Sequence, residues 1–180
     1  MSIADLWPAI LVSAAIVWVA SAIIWMFLWH RNDYAATSGE EGVRAALKGH
    51  SPGLYNVPHV TDMKALKTPE VQQKFSEGPL AFITILPNGV PSMGRNMGLS
   101  FVYYVFVGFL CAYVVSRTVA PDAAYLEVFR IAGCVAWMAY GIGIIPDSIW
   151  FGRPWSSTFK NLVDALIYGL LTGGAFGWLA

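Results

Sequence analysis

The chain has 180 residues, of which 57% are hydrophobic and only 12% are charged, whereas about 25% of the residues in an average soluble protein are charged. Eleven basic and eleven acidic side chains balance, so the sequence lacks the positive surplus that marks a nucleic-acid-binding protein. The two cysteines fall inside apolar runs and form no CxxC pair, which excludes the disulfide framework of a small secreted domain.

Four apolar runs are long enough to cross a bilayer, at residues 7–29, 98–116, 126–149 and 159–179. A span needs about 20 apolar residues, and lipid offers no partner to an unpaired backbone group, so each run should be helical. The first run follows a segment without Lys or Arg and exceeds the length of a signal peptide, which indicates a retained anchor. The sequence therefore predicts an all-α integral membrane protein with four transmembrane helices. A small mixed α/β cytoplasmic insert is expected between helices 1 and 2.

These runs divide the chain into three predicted parts: residues 1–29 with the first helix, 30–97 as the insert, and 98–180 with the other three helices. Basic residues are concentrated on one side of this arrangement. The insert and the last connector contain Arg31, Arg44, Lys48, Lys64, Lys67, Lys74, Arg95, Arg153 and Lys160, whereas the opposite side contains Arg117 and Arg130. Cytoplasmic loops are enriched in Lys and Arg, so both termini should be non-cytoplasmic.

Tryptophans are found at both expected membrane boundaries and along the first helix. Trp7 and Trp178 would mark the outer interface, and the inner interface would be marked by Trp25, Trp29, Trp150 and Trp155. Trp18, Trp25 and Trp29 recur at spacings of seven and four, which places them on one helical face. This aromatic ridge is interpreted either as packing and lipid contact or as a surface for a flat ligand such as a quinone or a pigment.

The insert has local signals for two helices and two extended segments. Ser38 with Glu41 has the spacing of a capping box and predicts a helix to about Lys48, and Thr68 followed by Pro69 predicts the start of another. The extended segments are expected at residues 54–57 and 80–86, the second buried on both faces or lying against the membrane surface. A core of this size contributes little stability, so we expect the insert to lean on the bilayer or on the spans.

The histidines do not form a recognisable metal-binding motif. His59 and Asp62 would share a helical face only if a helix began there, and the preceding Pro58 opposes this. Because metal sites usually require three or four convergent ligands, no metal site is predicted. His30 ends the first apolar run beside Arg31 and is interpreted as an interfacial residue.

The candidate polar site consists of Asp147, Arg153, Lys160 and Asp164, near the cytoplasmic ends of helices 3 and 4. Pro146 removes a backbone donor, so helix 3 should kink or end there and leave backbone groups beside Asp147. Ionisable residues at membrane depth often mark functional sites. The alternative for Asp147 and Arg153 is an ordinary turn, in which Asp147 caps a short interfacial helix and Arg153 touches lipid headgroups. Lys160 and Asp164 would then neutralise each other as an i,i+4 pair.

Small residues form the second strong pattern. Gly169, Gly173 and Gly177 make two consecutive GxxxG steps on helix 4 and are the candidate helix-packing face. Small residues let helix backbones approach closely in lipid. This face is expected to serve the internal bundle, a partner subunit, or both.

Three stretches carry a family resemblance: Val57-Pro58-His59-Val60-Thr61-Asp62, Leu86-Pro87-Asn88-Gly89, and residues 145–155. In these the chain resembles an uncharacterised family of small bacterial inner-membrane proteins, over most of its length. The resemblance implies a bacterial cytoplasmic membrane and transfers no activity and no functional residues. The sequence also contains no nucleophile-elbow, zinc-protease, P-loop or dinucleotide-binding motif, and no cofactor is predicted.

The sequence is compatible with three functions. The first is a non-catalytic accessory or scaffolding subunit that packs against lipid and other membrane subunits, or forms a homo-oligomer. The second is a small oligomeric transporter or channel that uses the candidate polar site. The third is a lipid-modifying enzyme, which would need more acidic residues at the interface to hold a metal–phosphate pair than this sequence offers.

Overall fold

The computed structural model describes residues 2–180. The elements in chain order are α1 (Trp7–Phe27), α2 (Glu40–Leu47), β1 (Gly53–Val57), α3 (Pro69–Glu77), β2 (Ala81–Ile85), α4 (Met93–Thr118), α5 (Tyr125–Gly141), α6 (Ile145–Trp150) and α7 (Trp155–Leu179). Short 3₁₀ turns precede α1 at Ile3–Leu6, precede α3 at Ala65–Lys67, and join α5 to α6 at Ile142–Ile144.

Four helical stretches are long and apolar enough to cross a membrane: Ile3–Phe27, Met93–Thr118, Tyr125–Trp150 and Trp155–Leu179. The prediction of a mostly helical chain with four such helices and a small α/β insert is confirmed at this level. The second stretch begins five residues before the predicted start, because the Ser92 hydroxyl accepts a hydrogen bond from the Arg95 backbone N–H and caps the helix. The chain as a whole divides into two compact units, Ala36–Pro91 and the remainder.

The helical unit is a four-helix bundle in which α1 packs on α4 and α7, and α5 packs on the same two helices. At one end of its interior, where α1 begins and α7 ends, apolar side chains form a buried cluster. These are Leu6, Ala9, Ile10, Val107, Cys111, Ala112, Val115, Val119, Val128, Ala132, Ala136 and Phe176. We call this the apolar end, and the opposite end, where α1 finishes and α7 begins, the polar end.

Helices α5 and α7 form the closest helix pair, and glycines on α7 permit this close approach of the two backbones. A Cβ at Gly169 would lie 2.9 Å from the backbone oxygen of Gly133, and one at Gly173 would lie 2.7 Å from that of Phe129. Gly177 meets the ring of Tyr125 in the same way. The glycine face of α7 is therefore occupied inside the bundle.

The third long stretch changes its helical type before Pro146. Helix α5 ends at Gly141, the 3₁₀ turn follows, and Pro146 lies in the first turn of α6. A proline costs little there because the first N–H groups of a helix have no intrahelical partner. The predicted break is thus a short 3₁₀ segment upstream of the proline.

In the insert, β1 and β2 pair antiparallel, with Tyr55 opposite Ile83. Residues along β2 alternate between partly buried and exposed, so the expectation of burial on both faces is wrong within this unit. The two predicted helices are present as α2 and α3. The predicted Ser38 cap is not, because Gly39 occupies the N-cap position of α2 without a side-chain hydrogen bond.

Candidate functional site

The candidate site lies at the polar end, where the turn after α1 meets the first half of α7. The chain leaves α1 at Phe27 and turns so that the Asp33 N–H donates to the His30 carbonyl, 3.1 Å away. This turn brings His30 and Asp33 against Lys160 and Asp164, which lie four residues apart on one face of α7. We call these four residues the charged cluster.

His30 bridges the two carboxylates of the cluster. Its Nε2 atom lies 2.6 Å from Asp164 Oδ2, and its Nδ1 atom lies 2.6 Å from Asp33 Oδ2. The ring stacks on Trp25 with centroids 4.1 Å apart and planes 8° from parallel. Only 5% of His30 is exposed, so its side chain is enclosed by other protein groups, and its expected depth at the membrane interface stays a prediction.

Asp164 and Lys160 complete the network. The Trp29 indole N–H donates to Asp164 Oδ1 at 2.8 Å, and Asp164 is only 2% exposed. Lys160 donates to the Trp29 carbonyl oxygen at 2.9 Å and also to Asp33 Oδ1. Each buried charge therefore has an opposite charge and further hydrogen bonds, which a buried ionic group requires if the fold is to tolerate it.

The hydrogen bonds of His30 imply a definite number of protons. An ionised carboxylate only accepts, and a neutral imidazole donates from one nitrogen alone. Two carboxylate contacts therefore require a proton on both ring nitrogens, or a proton on Asp33 or Asp164. In the first case His30 and Lys160 balance the two acids, so the neutral cluster holds one proton shared by His30, Asp33 and Asp164.

Asp33 connects this network to the surface. The Lys160 ammonium, and after it His30, holds the pKa of Asp33 below its ordinary value of 3.8. Its side chain is 10% exposed and that of Lys160 is 34% exposed, so the cluster reaches the surface at Lys160. Asp33 should therefore remain ionised when the shared proton leaves.

The structure divides the four predicted polar-site residues into two groups. Lys160 and Asp164 belong to the charged cluster, but each is paired with the turn after α1 and not with the other. Asp147 lies in α6 and Arg153 lies in the loop between α6 and α7. They form a looser pair, with Arg153 Nη1 and Asp147 Oδ2 3.9 Å apart and both side chains partly exposed.

The three ridge tryptophans have separate roles inside the chain. The Trp18 indole N–H donates to the Met97 carbonyl of α4 at 3.0 Å. Trp25 covers His30, and Trp29 donates to Asp164. The indole N–H groups of Trp18 and Trp29 and the ring face of Trp25 are therefore engaged by neighbouring protein groups.

The second histidine–aspartate pair in the sequence forms no site. His59 Nδ1 is hydrogen-bonded to Asn56 Oδ1 at 2.7 Å, and Asp62 accepts from the Lys64 backbone N–H. Within residues 2–180, no three His, Cys, Asp or Glu side chains are arranged to hold a metal ion.

Deeper in the bundle, a layer of tyrosines lies beyond the charged cluster. Tyr168 is one helical turn from Asp164 on α7 and packs edge-on against Tyr104 of α4 and Tyr140 of α5, at 6.4 and 5.6 Å between ring centroids. Thr172 follows one turn later and is 1% exposed. This tyrosine layer was not anticipated, because its members come from three helices that are distant in sequence.

His30 and Asp33 are the functional candidates that the sequence interpretation missed. The H-x-x-D spacing considered at His59 also occurs at His30, directly after an apolar run. That position, directly after an apolar span, was the available signal. Comparison with protein-family models, curated proteins and solved structures found no match to this chain.

Proposed function

We propose that this protein is a multi-pass membrane protein of a bacterial cytoplasmic membrane that exchanges protons at the charged cluster, as part of a small oligomeric transporter. In this proposal the insert and the polar end face the cytoplasm, and both termini face the other side. The proton shared by His30, Asp33 and Asp164 is the species taken up and released.

Membrane insertion is supported by the outer surface of the bundle. Large apolar side chains are exposed along all four long helices, whereas water-soluble monomers rarely expose large contiguous apolar patches. They include Leu11, Ile16, Val19, Ile23, Val102, Phe106, Phe109, Trp137, Met138, Leu166 and Leu170. Exposed tryptophans flank this surface, with Trp7 and Trp178 at one end and Trp150 and Trp155 at the other.

The observation that carries the proposal is the burial of three ionisable side chains of the cluster inside a helical bundle whose outer surface is mostly apolar. His30 and Asp164 are almost inaccessible, and Asp33 is nearly so. Ionisable groups inside membrane bundles are costly and typically mark ion or proton pathways. A network with one removable proton and a solvent-facing lysine meets the chemical requirements of proton exchange.

A purely accessory subunit is the second candidate, and the bundle gives it less support. One argument for it was a glycine face that could also serve a partner subunit, whereas Gly169, Gly173 and Gly177 are engaged by α5 of the same chain. Four helices rarely enclose a pathway alone, so the transporter proposal also requires association, through other surfaces.

The test is proton flux in liposomes that contain the purified protein, a trapped pH indicator, and a potassium diffusion potential. Wild-type protein should acidify or alkalinise the lumen faster than empty liposomes, in the direction of the potential. Asp164→Asn should abolish this flux, because the amide keeps the shape of the side chain but cannot take up the shared proton.

Asp147→Asn is the matched control, since it removes a carboxylate from the same end of the bundle but outside the cluster. Its flux should equal that of the wild type. Equal flux in wild-type and Asp164→Asn liposomes, or none above empty liposomes in any sample, overturns the proposal and leaves the accessory role.

A further inference from the structure

We infer that Asp164, Tyr168 and Thr172 form a hydrated column along α7, through which water and protons reach the middle of the bundle from the polar end. This inference rests on the proposed function and extends it from the charged cluster to the path beyond it. We call these three residues the α7 column.

The geometry of α7 aligns the column. Its members recur every four residues, and residues with this spacing lie above one another on a helix. From Asp164 to Thr172 the rise is about 12 Å at 1.5 Å per residue. All three face the bundle interior, with Tyr168 7% and Thr172 1% exposed.

Two hydroxyls of the column lack protein partners. Tyr168 Oη and Thr172 Oγ1 are buried and, among the described residues, make no hydrogen bond. Polar groups do lie close by: the side chain of Trp25 approaches Tyr168, and that of Tyr140 approaches Thr172, in each case without hydrogen-bonding geometry. A buried hydroxyl that makes no hydrogen bond is costly, and ordered water is the usual partner of such a group when other polar groups lie close by.

The column is closed on one side only. One turn beyond Thr172, Phe176 is fully buried in the apolar end with Leu6. In the other direction the column joins Asp164, His30 and Asp33, and then the partly exposed Lys160. Water should therefore enter from the polar end, and the apolar end acts as the barrier that any transport step must open.

Hydration can be measured without reference to flux, by water-edited solid-state NMR of protein in lipid bilayers. The protein is labelled with ¹³C at the ζ carbon of tyrosine and phenylalanine, and the Tyr168 signal is identified by its absence in Tyr168→Phe. Signal transfer from water should be nearly as fast at Tyr168 as at Tyr34, which is 90% exposed. Transfer as slow as that at the buried Phe176 overturns the inference.

Substitutions provide the second readout. If the hydroxyls hold water, Tyr168→Phe and Thr172→Val should each reduce proton flux and should not raise the unfolding temperature, whereas Thr172→Ser should retain flux. If the hydroxyls are dry, both apolar variants should raise the unfolding temperature and leave flux unchanged, which overturns the inference. Tyr103→Phe is the control, because its hydroxyl already donates to the Ala139 carbonyl.

The two proposals fail in different ways. If wild-type liposomes show no flux but water reaches Tyr168, the transport proposal is wrong and the hydrated column stands. If flux depends on Asp164 while Tyr168 is dry, the cluster exchanges protons and the column does not conduct them.

Discussion

The Nε2 atom of His30 lies 2.6 Å from Oδ2 of Asp164, although 134 positions separate the two residues in the chain. This contact fastens the turn after α1 to the first half of α7. Because both residues are buried, removing either one leaves the other without its charged partner. The contact should therefore contribute both to the stability of the bundle and to its proton chemistry.

Replacing Asp164 with Asn tests how much the contact between His30 and Asp164 contributes to the free energy of unfolding. The neutral amide removes one of the two carboxylate charges that balance Lys160 and a doubly protonated His30. Breaking a buried ionic pair from one side typically costs about 3–5 kcal/mol. The free energy of unfolding in detergent, from a denaturant titration, should fall by this order. Asp147→Asn should change it by less than about 1 kcal/mol because its pair is partly exposed.

Trp29→Phe isolates a single hydrogen bond of the cluster. Phenylalanine keeps an aromatic ring but cannot donate to Asp164 Oδ1. A hydrogen bond to a charged group contributes about 1.5–3 kcal/mol, so the free energy of unfolding should fall by that amount. Trp155→Phe, at an exposed position on α7, should stay within about 0.5 kcal/mol of wild type. Equal losses in the two variants would contradict this assignment.

The helices and the cluster were predictable from the sequence to different degrees. The four long helices follow from apolar run length, because lipid leaves the backbone no alternative. Lys160 and Asp164 were identified as ionisable residues at membrane depth. Their true partners were not, since local spacing suggests an i,i+4 pair, whereas the partners lie in the distant turn after α1.

The lowered pKa of Asp33 predicts a pH dependence of stability. The Lys160 ammonium and then His30 stabilise the ionised form in the folded state, so the folded pKa lies below 3.8. Such a group contributes stability above its unfolded pKa and loses it as pH falls through the folded pKa. The unfolding temperature should therefore fall with acidification below about pH 5, less steeply in Asp33→Asn than in wild type.

Glu70→Gln is the matched control for that experiment. The pKa of Glu70 is also lowered, by Lys74, but this pair lies on the exposed surface of α3, where solvent screens it. The wild-type acid profile should persist in this variant. Parallel profiles for wild type and Asp33→Asn would show that the Asp33 pair contributes nothing to stability.

Gly173→Ala tests the close contact of α5 with α7. The new Cβ would meet the Phe129 backbone oxygen at 2.7 Å, and a backbone cannot move aside as a flexible side chain can. Overpacking of this kind costs about 1–3 kcal/mol in the free energy of unfolding. At the adjacent Gly174 the nearest atom is the Tyr125 hydroxyl at 3.8 Å, so Gly174→Ala should be neutral or slightly stabilising. A loss in both variants would indicate a general intolerance of α7 instead of a specific contact.

The arrangement of the loops across the membrane is tested by single cysteines in a Cys134→Ser background, where the buried Cys111 remains as an unreactive thiol. Lys64→Cys in the insert and Asp122→Cys between α4 and α5 both introduce exposed thiols. Because basic residues are concentrated in the insert, a membrane-impermeant maleimide added to intact cells should label Asp122→Cys alone. Both should react once the membrane is opened. Labelling of Lys64→Cys in intact cells would show that the true orientation is the opposite of the predicted one. The charged cluster would then exchange its proton with the periplasmic side.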